Sequence, residues 1–284
     1  METVLISPKK KAVIAGSRPT VLIGERINPT GKKKLTAALQ AGDMDIVRQE
    51  ALDQVKAGAD VLDVNAGVPG ADEAALLKEM VQVVSATMDV PLCIDSNSPD
   101  ALKAALAVYK GKPLVNSVNG EEQSLSRILP LVKEYGAAVV GLTMDEAGIP
   151  DTADKRLSIA VRIVERAEKL GIPREDIVID CLTLTVGADS KAGLVTLETV
   201  RRVKQELGTN MTLGAGNVSF GLPDRSLLNG IFLAMVIAAG VTCPIVDVAK
   251  VRSAVLAADL VLGRDDYASR YIQDFRGRQR NQTA

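Results

Sequence analysis

The chain has 284 residues, 47% of them hydrophobic and 24% charged, which is enough apolar side chain to bury one sizeable core. Its 34 Lys and Arg are balanced by 35 Asp and Glu, so no global field exists to hold a nucleic acid or an anionic membrane, and neither partner is expected. Histidine is absent, which removes Ser-His triads, imidazole bases and the commonest zinc ligand.

The N-terminal "METVLISPKKKAVIAGS" places its lysines after a short apolar run, the wrong order for a secretory signal. No apolar run is long enough to span a bilayer. Residues 1–18 are therefore expected to form an extension, with Lys9, Lys10 and Lys11 in solvent. Short β-rich runs follow at 21–25 (VLIGE), 60–65 (DVLDVN), 91–95 (PLCID), 114–116 (LVN), 137–143 (AAVVGLT), 176–180 (DIVID), 211–214 (MTLG) and 243–247 (CPIVD). They recur at roughly 23 to 40 residues, the size of a βα unit, and their largely apolar character predicts parallel strands buried on both faces.

The segments between them carry helix signals. "SPDALKAALAVY" opens with Ser98 as N-cap and Pro99 in the first turn. In 122–135, Pro130 is expected to kink a helix or mark its true start. "DKRLSIAVRIVERAEKLGIP" repeats apolar residues at Ala160, Ile163, Ala167 and Leu170, then stops at Gly171. Leu227, Ile231, Ala234 and Ala238 form a further stripe, expected in the core. Eight such units predict an α/β fold, a (β/α)₈ barrel over residues 19–265, with 266–284 as a basic extension holding a terminal helix and a frayed end. A doubly wound sheet is the alternative, disfavoured because no G-x-G-x-x-G follows the first strand. Cys93, Cys181 and Cys243 each lie in an apolar run, which predicts buried reduced thiols and a cytoplasmic protein.

Active sites of such barrels lie at the C-terminal ends of the strands. Those ends deliver Glu25 and Asn28, Asp63 and Asn65, Asp95 and Asn97, Asn116 and Asn119, Asp145, Asp180, Asn217 and Ser219, and Asp247. Any one of them could close an Asx turn or cap a helix, and Asp145 could either cap the helix near Asp151 or face a ligand. Together they predict a polar cavity. Phosphate would call for cations that "GAGN" (214–217) does not bring, and the carboxylates form no local metal motif, so no metal site is expected. A fused heterocycle with an amino group beside a ring N–H matches the two oxygens of a carboxylate, and a ring with donors and acceptors matches Asn. A pterin fits that description.

"VLIGERINPTGKKKL", "DVLDVNAG", "LCIDSNSPDALKAAL", "LVNSVNGE", "GAAVVGLTMDEAGIP", "IVIDCLTL" and "GAGNVSFGLPDRSLLNGIFLAM" occur in that order between about residues 20 and 265. In these motifs the chain resembles the methyltetrahydrofolate:corrinoid methyltransferases and, more weakly, the folate domain of cobalamin-dependent methionine synthase and dihydropteroate synthase, all of the pterin-binding barrel type. The resemblance implies a one-carbon reaction in which the N5 methyl group of 5-methyltetrahydrofolate passes to or from the Co(I) of cobalamin or another corrinoid carried by a separate protein. It also implies a homodimer. Matched by motif, Asp95, Asn116 and Asp180 correspond to pterin-holding residues, Asn217 to the asparagine beside N5 and Arg225 to an arginine on the folate side. Asn217 and Asp95 are the expected catalytic residues, and Ser219 and Phe220 are placed near the ring by adjacency alone. Phe220 stands where another branch of the family has a polar residue.

N5 is a poor leaving group and must gain positive character as the methyl departs. Asn217 could present its oxygen to a protonated N5 or its NH₂ to the product amine. Two rivals remain. Dihydropteroate synthase resembles a sequence with a "TPDSFSDGG"-like loop after the first strand and a late lysine, where this chain has "INPTGKKK" and "GAGNVS". A non-catalytic folate-binding module would belong to a larger corrinoid machine, and a "DxHxxG" corrinoid motif cannot occur without histidine.

Overall fold

The computed structural model describes residues 1–282. A short antiparallel hairpin, β1 (Thr3–Ile6) and β2 (Lys11–Ile14), precedes the repeating part of the chain. Then come β3 (Ile23–Ile27), α1 (Lys33–Gln40), α2 (Asp45–Ala57), β4 (Val61–Asn65), α3 (Glu73–Thr87), β5 (Leu92–Asp95), α4 (Pro99–Leu106), β6 (Leu114–Asn119) and α5 (Glu122–Tyr135). The second half adds β7 (Ala138–Leu142), α6 (Ala153–Lys169), β8 (Ile177–Asp180), α7 (Ala192–Glu206), β9 (Asn210–Thr212), α8 (Arg225–Ala239), β10 (Ile245–Val246), α9 (Val248–Val261) and α10 (Ser269–Gln282). Every strand expected from the sequence coincides with one of β3–β10.

β3 to β9 pair in parallel in chain order, with β10 beside β3. A parallel bridge between Gly214 and Ile245, with Ile245 N donating to Leu213 O at 3.0 Å, joins the two ends into a (β/α)₈ barrel. Strand side chains alternate between two cores. Leu62, Val64, Ile94, Val115, Val139 and Ile179 face the helices, whereas Ile23, Val61, Cys93, Leu114, Ala138, Val140, Val178 and Cys243 fill the barrel interior. Cys181, the third thiol, is buried as well.

The first eighteen residues close the bottom of that interior. Leu5 and Ile14 are fully buried in the inner cluster. Asn210 Nδ2 donates to Ile14 O at 2.9 Å, Tyr109 Oη to Ile6 O at 2.9 Å, and Ile6 bridges Lys112. Lys9, Lys10 and Lys11 stand exposed at the hairpin turn. At the same end the buried Asp259 accepts from Thr20 N and Oγ1 at 2.8 and 2.7 Å and pairs with Arg264 and Arg270 at 3.5 and 3.4 Å, tying the tail to the barrel.

The helix signals hold at the caps. Ser98 Oγ accepts from Ala101 N at 3.3 Å, and α6 is capped by Thr152. Two expectations need correction. α5 runs through Pro130, so Pro130 does not mark its start; the helix tolerates the missing N–H there because Leu125, Ile128, Leu129 and Val132 anchor its buried face. The stripe on α8 is not core: Leu227 and Ile231 are 58% and 53% exposed, because Phe232, Leu233, Val236 and Ile237 form the buried face instead. Among the described residues no helix is long and apolar enough to cross a membrane.

Candidate functional site

One alternation step beyond the apolar inner layer, the same strands turn polar. Val61 is followed on its face by Asp63, Cys93 by Asp95, Leu114 by Asn116 and Val178 by Asp180. The register sets Asn65 beside Asp95 and Asp95 beside Asn116, so residues from three strands meet at one level. Asn65 Nδ2 donates to Asp95 Oδ2 at 3.0 Å and Asn116 Nδ2 to Asp63 Oδ1 at 3.3 Å.

Burial governs the charge state of this ring of carboxylates. Asp63 is pushed well above the usual carboxylate range by burial and then by the neighbouring Asp95 charge; Asn116 and the Cys93 thiol pull it down in part. Burial lifts Asp95 to about 6 against the Asn65 hydrogen bond, and lifts Asp180 to about 7 against the Leu182 N–H and the Arg156 charge. Leu182 N donates to Asp180 Oδ1 at 2.7 Å, while Oδ2 of Asp180 and Oδ1 of Asp95 accept no hydrogen bond among the described residues. Each therefore keeps one acceptor for a donor-bearing ligand.

The turn after β8 is held by a residue that the sequence did not single out. Arg156, 1% exposed, donates to Cys181 O and Leu182 O at 2.9 Å each and to Pro150 O at 2.8 Å. Thr196 Oγ1 adds a 2.9 Å bond to Leu182 O. Leu182 adopts a φ of 54°, sparsely populated for a leucine, and this clamp holds it there. A buried arginine is the one signal that could have found the clamp, and burial is not visible in one sequence.

The "GAGNVSFG" segment forms a 3₁₀ turn over Ala215–Ser219. Arg225 fastens it, with Nε on Ser219 Oγ at 3.0 Å, Nη2 on Gly216 O at 2.9 Å and the guanidinium 5.9 Å from the Phe220 ring centroid. Ser219 is fully buried and donates to Asn229 Oδ1 at 2.7 Å, so it faces into the loop. Asn217 is exposed at the mouth, and its amide has no protein partner among the described residues. A Cβ on Gly214 would lie 3.1 Å from Asn217 Nδ2, so glycine there leaves that amide room.

Other strand-end residues have local tasks. Asn28 accepts from Thr30 N and Asn119 from Glu121 N, each at 2.9 Å, closing Asx turns. Asp145 accepts from Ala147 N at 3.1 Å and pairs with Arg162 at 2.9 Å; it does not cap α6. No group of three or more His, Cys, Asp or Glu suited to a metal occurs among the described residues.

Residues 24–247, spanning β3 to β10 and all of the polar rim, match the family described as pterin binding enzyme. The chain belongs to that family. This pterin-binding enzyme is 33% identical over 266 residues to a methylcorrinoid:tetrahydrofolate methyltransferase of Eubacterium limosum, covering 90% of this chain and 96% of that one. It is also 33% identical over 260 residues to methionine synthase of Mycobacterium leprae, covering 87% of this chain and 22% of that larger protein. A solved Yersinia pestis dihydropteroate synthase in a sulfonamide complex superposes with a TM-score of 0.72 at 16% identity, over 92% of this chain and 99% of that one, which is a likeness of fold. In the pterin-binding enzyme described here, Asp95 and Asn116 are register neighbours on β5 and β6, Asp180 ends β8 three strands from Asp95, and Arg225 fastens the turn after β9 that carries Asn217.

Proposed function

We propose that this pterin-binding enzyme moves the N5 methyl group of 5-methyltetrahydrofolate to or from the Co(I) of a corrinoid carried by a separate protein. The observation that carries the proposal is the similarity to the Eubacterium limosum methyltransferase over nearly the whole of both chains. The site chemistry supports it. A pterin offers a 2-amino group and an adjacent N–H, and Asp95 and Asp180 each hold one oxygen that accepts no hydrogen bond among the described residues. Asn116 is neutral and can serve a ring edge with donors and acceptors. A buried ring is recognised without a net cation, which fits a site of carboxylates and amides.

Asn217 is proposed to act on N5. When the C–N5 bond breaks its electron pair stays on N5, and an amine that holds the pair without help leaves poorly. A neutral amide aimed at that atom stabilises the developing charge without reorganising, provided that its turn is rigid. The Arg225 contacts to Ser219 and Gly216 supply that rigidity. Co(I) supplies the nucleophile for the methyl carbon; the chain's own part is to hold the pterin, turn N5 toward the open mouth and stabilise N5.

A homodimer and a cytoplasmic location complete the proposal. The dimer is supported by the exposed apolar run Leu227, Ile231, Met235 and Val261 on α8 and α9. The direct test is anaerobic: purified protein, 5-methyltetrahydrofolate and Co(I) cobalamin, followed in the visible spectrum. The expected result is protein-dependent loss of Co(I) with gain of methylcobalamin. Absence of transfer together with dihydropteroate synthesis would overturn it in favour of the rival activity.

A further inference from the structure

One inward carboxylate at the barrel mouth has no assigned task. On β3, Ile23 belongs to the inner cluster and Gly24 faces outward, where an added Cβ would lie 2.4 Å from Gln54 Oε1 on α2. The pairing with β4 then slips between Gly24 and Ile27. Such an irregularity re-aims side chains beside active sites, and here two neighbours part. Arg26 goes outward, donating to both oxygens of Glu50 at 2.8 and 2.9 Å and reaching Asp247 at 3.4 Å. Glu25 goes inward, two residues above Ile23, at the level of Asp63. It is half-buried, and its carboxylate enters no hydrogen bond and no ion pair among the described residues.

The charged groups around Glu25 come from every wall. Asp63 on β4 feels its charge; Asp247 at the end of β10, Lys250 on α9, Lys32 before α1 and Arg225 on α8 act on it in turn. Burial first, and the Asp247 charge second, raise the Glu25 carboxyl above its ordinary value, against the three cations. Lys32 is held close by its own bonds, Nζ to Arg26 O at 2.8 Å and to Glu25 O at 3.4 Å. A carboxyl raised in this way keeps its proton to a higher pH than an exposed glutamate does.

Methyl transfer needs such a group. Asn217 is neutral and carries no transferable proton, and Asp95 and Asp180 are reserved as acceptors for the pterin N–H groups. We propose that Glu25 is the residue that exchanges the proton with N5 of the folate. The proposal rests on the methyl-transfer function given above. When the methyl leaves, the Glu25 O–H bond breaks and an N5–H bond forms. The C–N5 bond breaks with its pair remaining on N5, and the methyl carbon takes the electron pair of Co(I). Tetrahydrofolate and ionised Glu25 remain. In reverse, the N5 pair attacks the methyl carbon, the bonding pair returns to the corrinoid, and the N5 proton passes to the Glu25 carboxylate.

The test is single-turnover transfer from 5-methyltetrahydrofolate to Co(I) cobalamin at saturating folate, for wild type, Glu25→Gln and Glu25→Asp. It is run across about pH 5 to 9, with folate Kd measured by calorimetry and folding by thermal melts. Glu25→Gln is expected to keep Kd within about threefold and lose about 10²- to 10⁴-fold in rate, the customary range for a general acid–base group. Its remaining rate loses the pH limb due to Glu25, and Glu25→Asp restores that limb at an intermediate rate. A folded Glu25→Gln protein with wild-type rate and pH profile overturns the proposal while leaving the function intact. Absence of transfer by the wild type overturns both.

Discussion

The two ends of the barrel are built from the same strands and differ by one step of alternation. At the N-terminal end the inward residues are Ile23, Val61, Cys93, Leu114 and Val178, sealed below by Leu5 and Ile14 of the hairpin. Two residues further along each strand they become Glu25, Asp63, Asp95, Asn116 and Asp180. The lower layer is held by apolar contacts. The upper layer carries carboxylates that burial lifts out of their usual range and that keep oxygens without donors. Stability is concentrated at one end, and the capacity to bind is bought at the other with desolvated charge.

The largest effect that would separate the two ends comes from the hairpin. Leu5→Ala removes a fully buried side chain from the lower layer and should lower unfolding free energy by about 2–5 kcal/mol in chemical denaturation, with folate Kd unchanged at temperatures where the protein is folded. A matching loss of folate affinity in the folded variant would show that the layers are not independent.

Next in size are the carboxylates. Asp95→Ala or Asp180→Ala should weaken 5-methyltetrahydrofolate by about 1–3 kcal/mol, or about 5- to 150-fold in Kd, because ring donors are left unpaired. Asp180→Asn should weaken binding as well, yet raise the melting temperature of the unliganded protein above pH 7. The sign follows from linkage: a folded-state value of about 7 for Asp180 lies above the ordinary one, so the native state binds more protons than the unfolded chain between the two. Stability contributed by that proton is present on the acid side and is lost as pH rises toward 7. Asparagine keeps the acceptor for Leu182 N and has no proton to lose. A lowered melting temperature at alkaline pH would contradict this account.

The smallest effect is the pH dependence of binding itself. If Asp180, at about 7, and Asp95, at about 6, accept pterin N–H groups as proposed, they do so ionised, and folate affinity should fall as pH drops through 7 and 6. The slope is limited to about tenfold per pH unit for each proton taken up. Calorimetric Kd values that stay level across this window would mean that the carboxylates bind the ring in their protonated forms.

Much of this was legible in the sequence, for identifiable reasons. Repeating apolar runs located β3 to β10, because strands buried on both faces leave a continuous signal. The polar strand ends were legible for the same reason: an Asp or Asn stands out at the end of an apolar run. The hairpin was not, since β1 and β2 have four residues each and owe their order to packing under the barrel. The pairing of Asn65 with Asp95 and of Asn116 with Asp63 depends on inter-strand register, and the irregularity at Glu25 depends on β3 meeting β4. Neither is encoded locally. Pro130 does not start α5 because propensity is local, whereas the buried face of α5 is a tertiary fact. The α8 stripe misled because helical spacing fits two faces and only packing chooses between them.

The central claim is that a neutral amide on a fastened turn acts on N5 in the transition state. Asn217→Ala in single-turnover methyl transfer to Co(I) cobalamin at saturating folate tests it most directly. If the amide stabilises charge developing at N5, the rate should fall by about 10²–10³ while Kd changes much less, as for loss of one preorganised hydrogen-bonding group. If Asn217 only holds the ring, ground state and transition state lose the same contact and the saturated rate survives. A rate within about threefold of wild type would contradict the account.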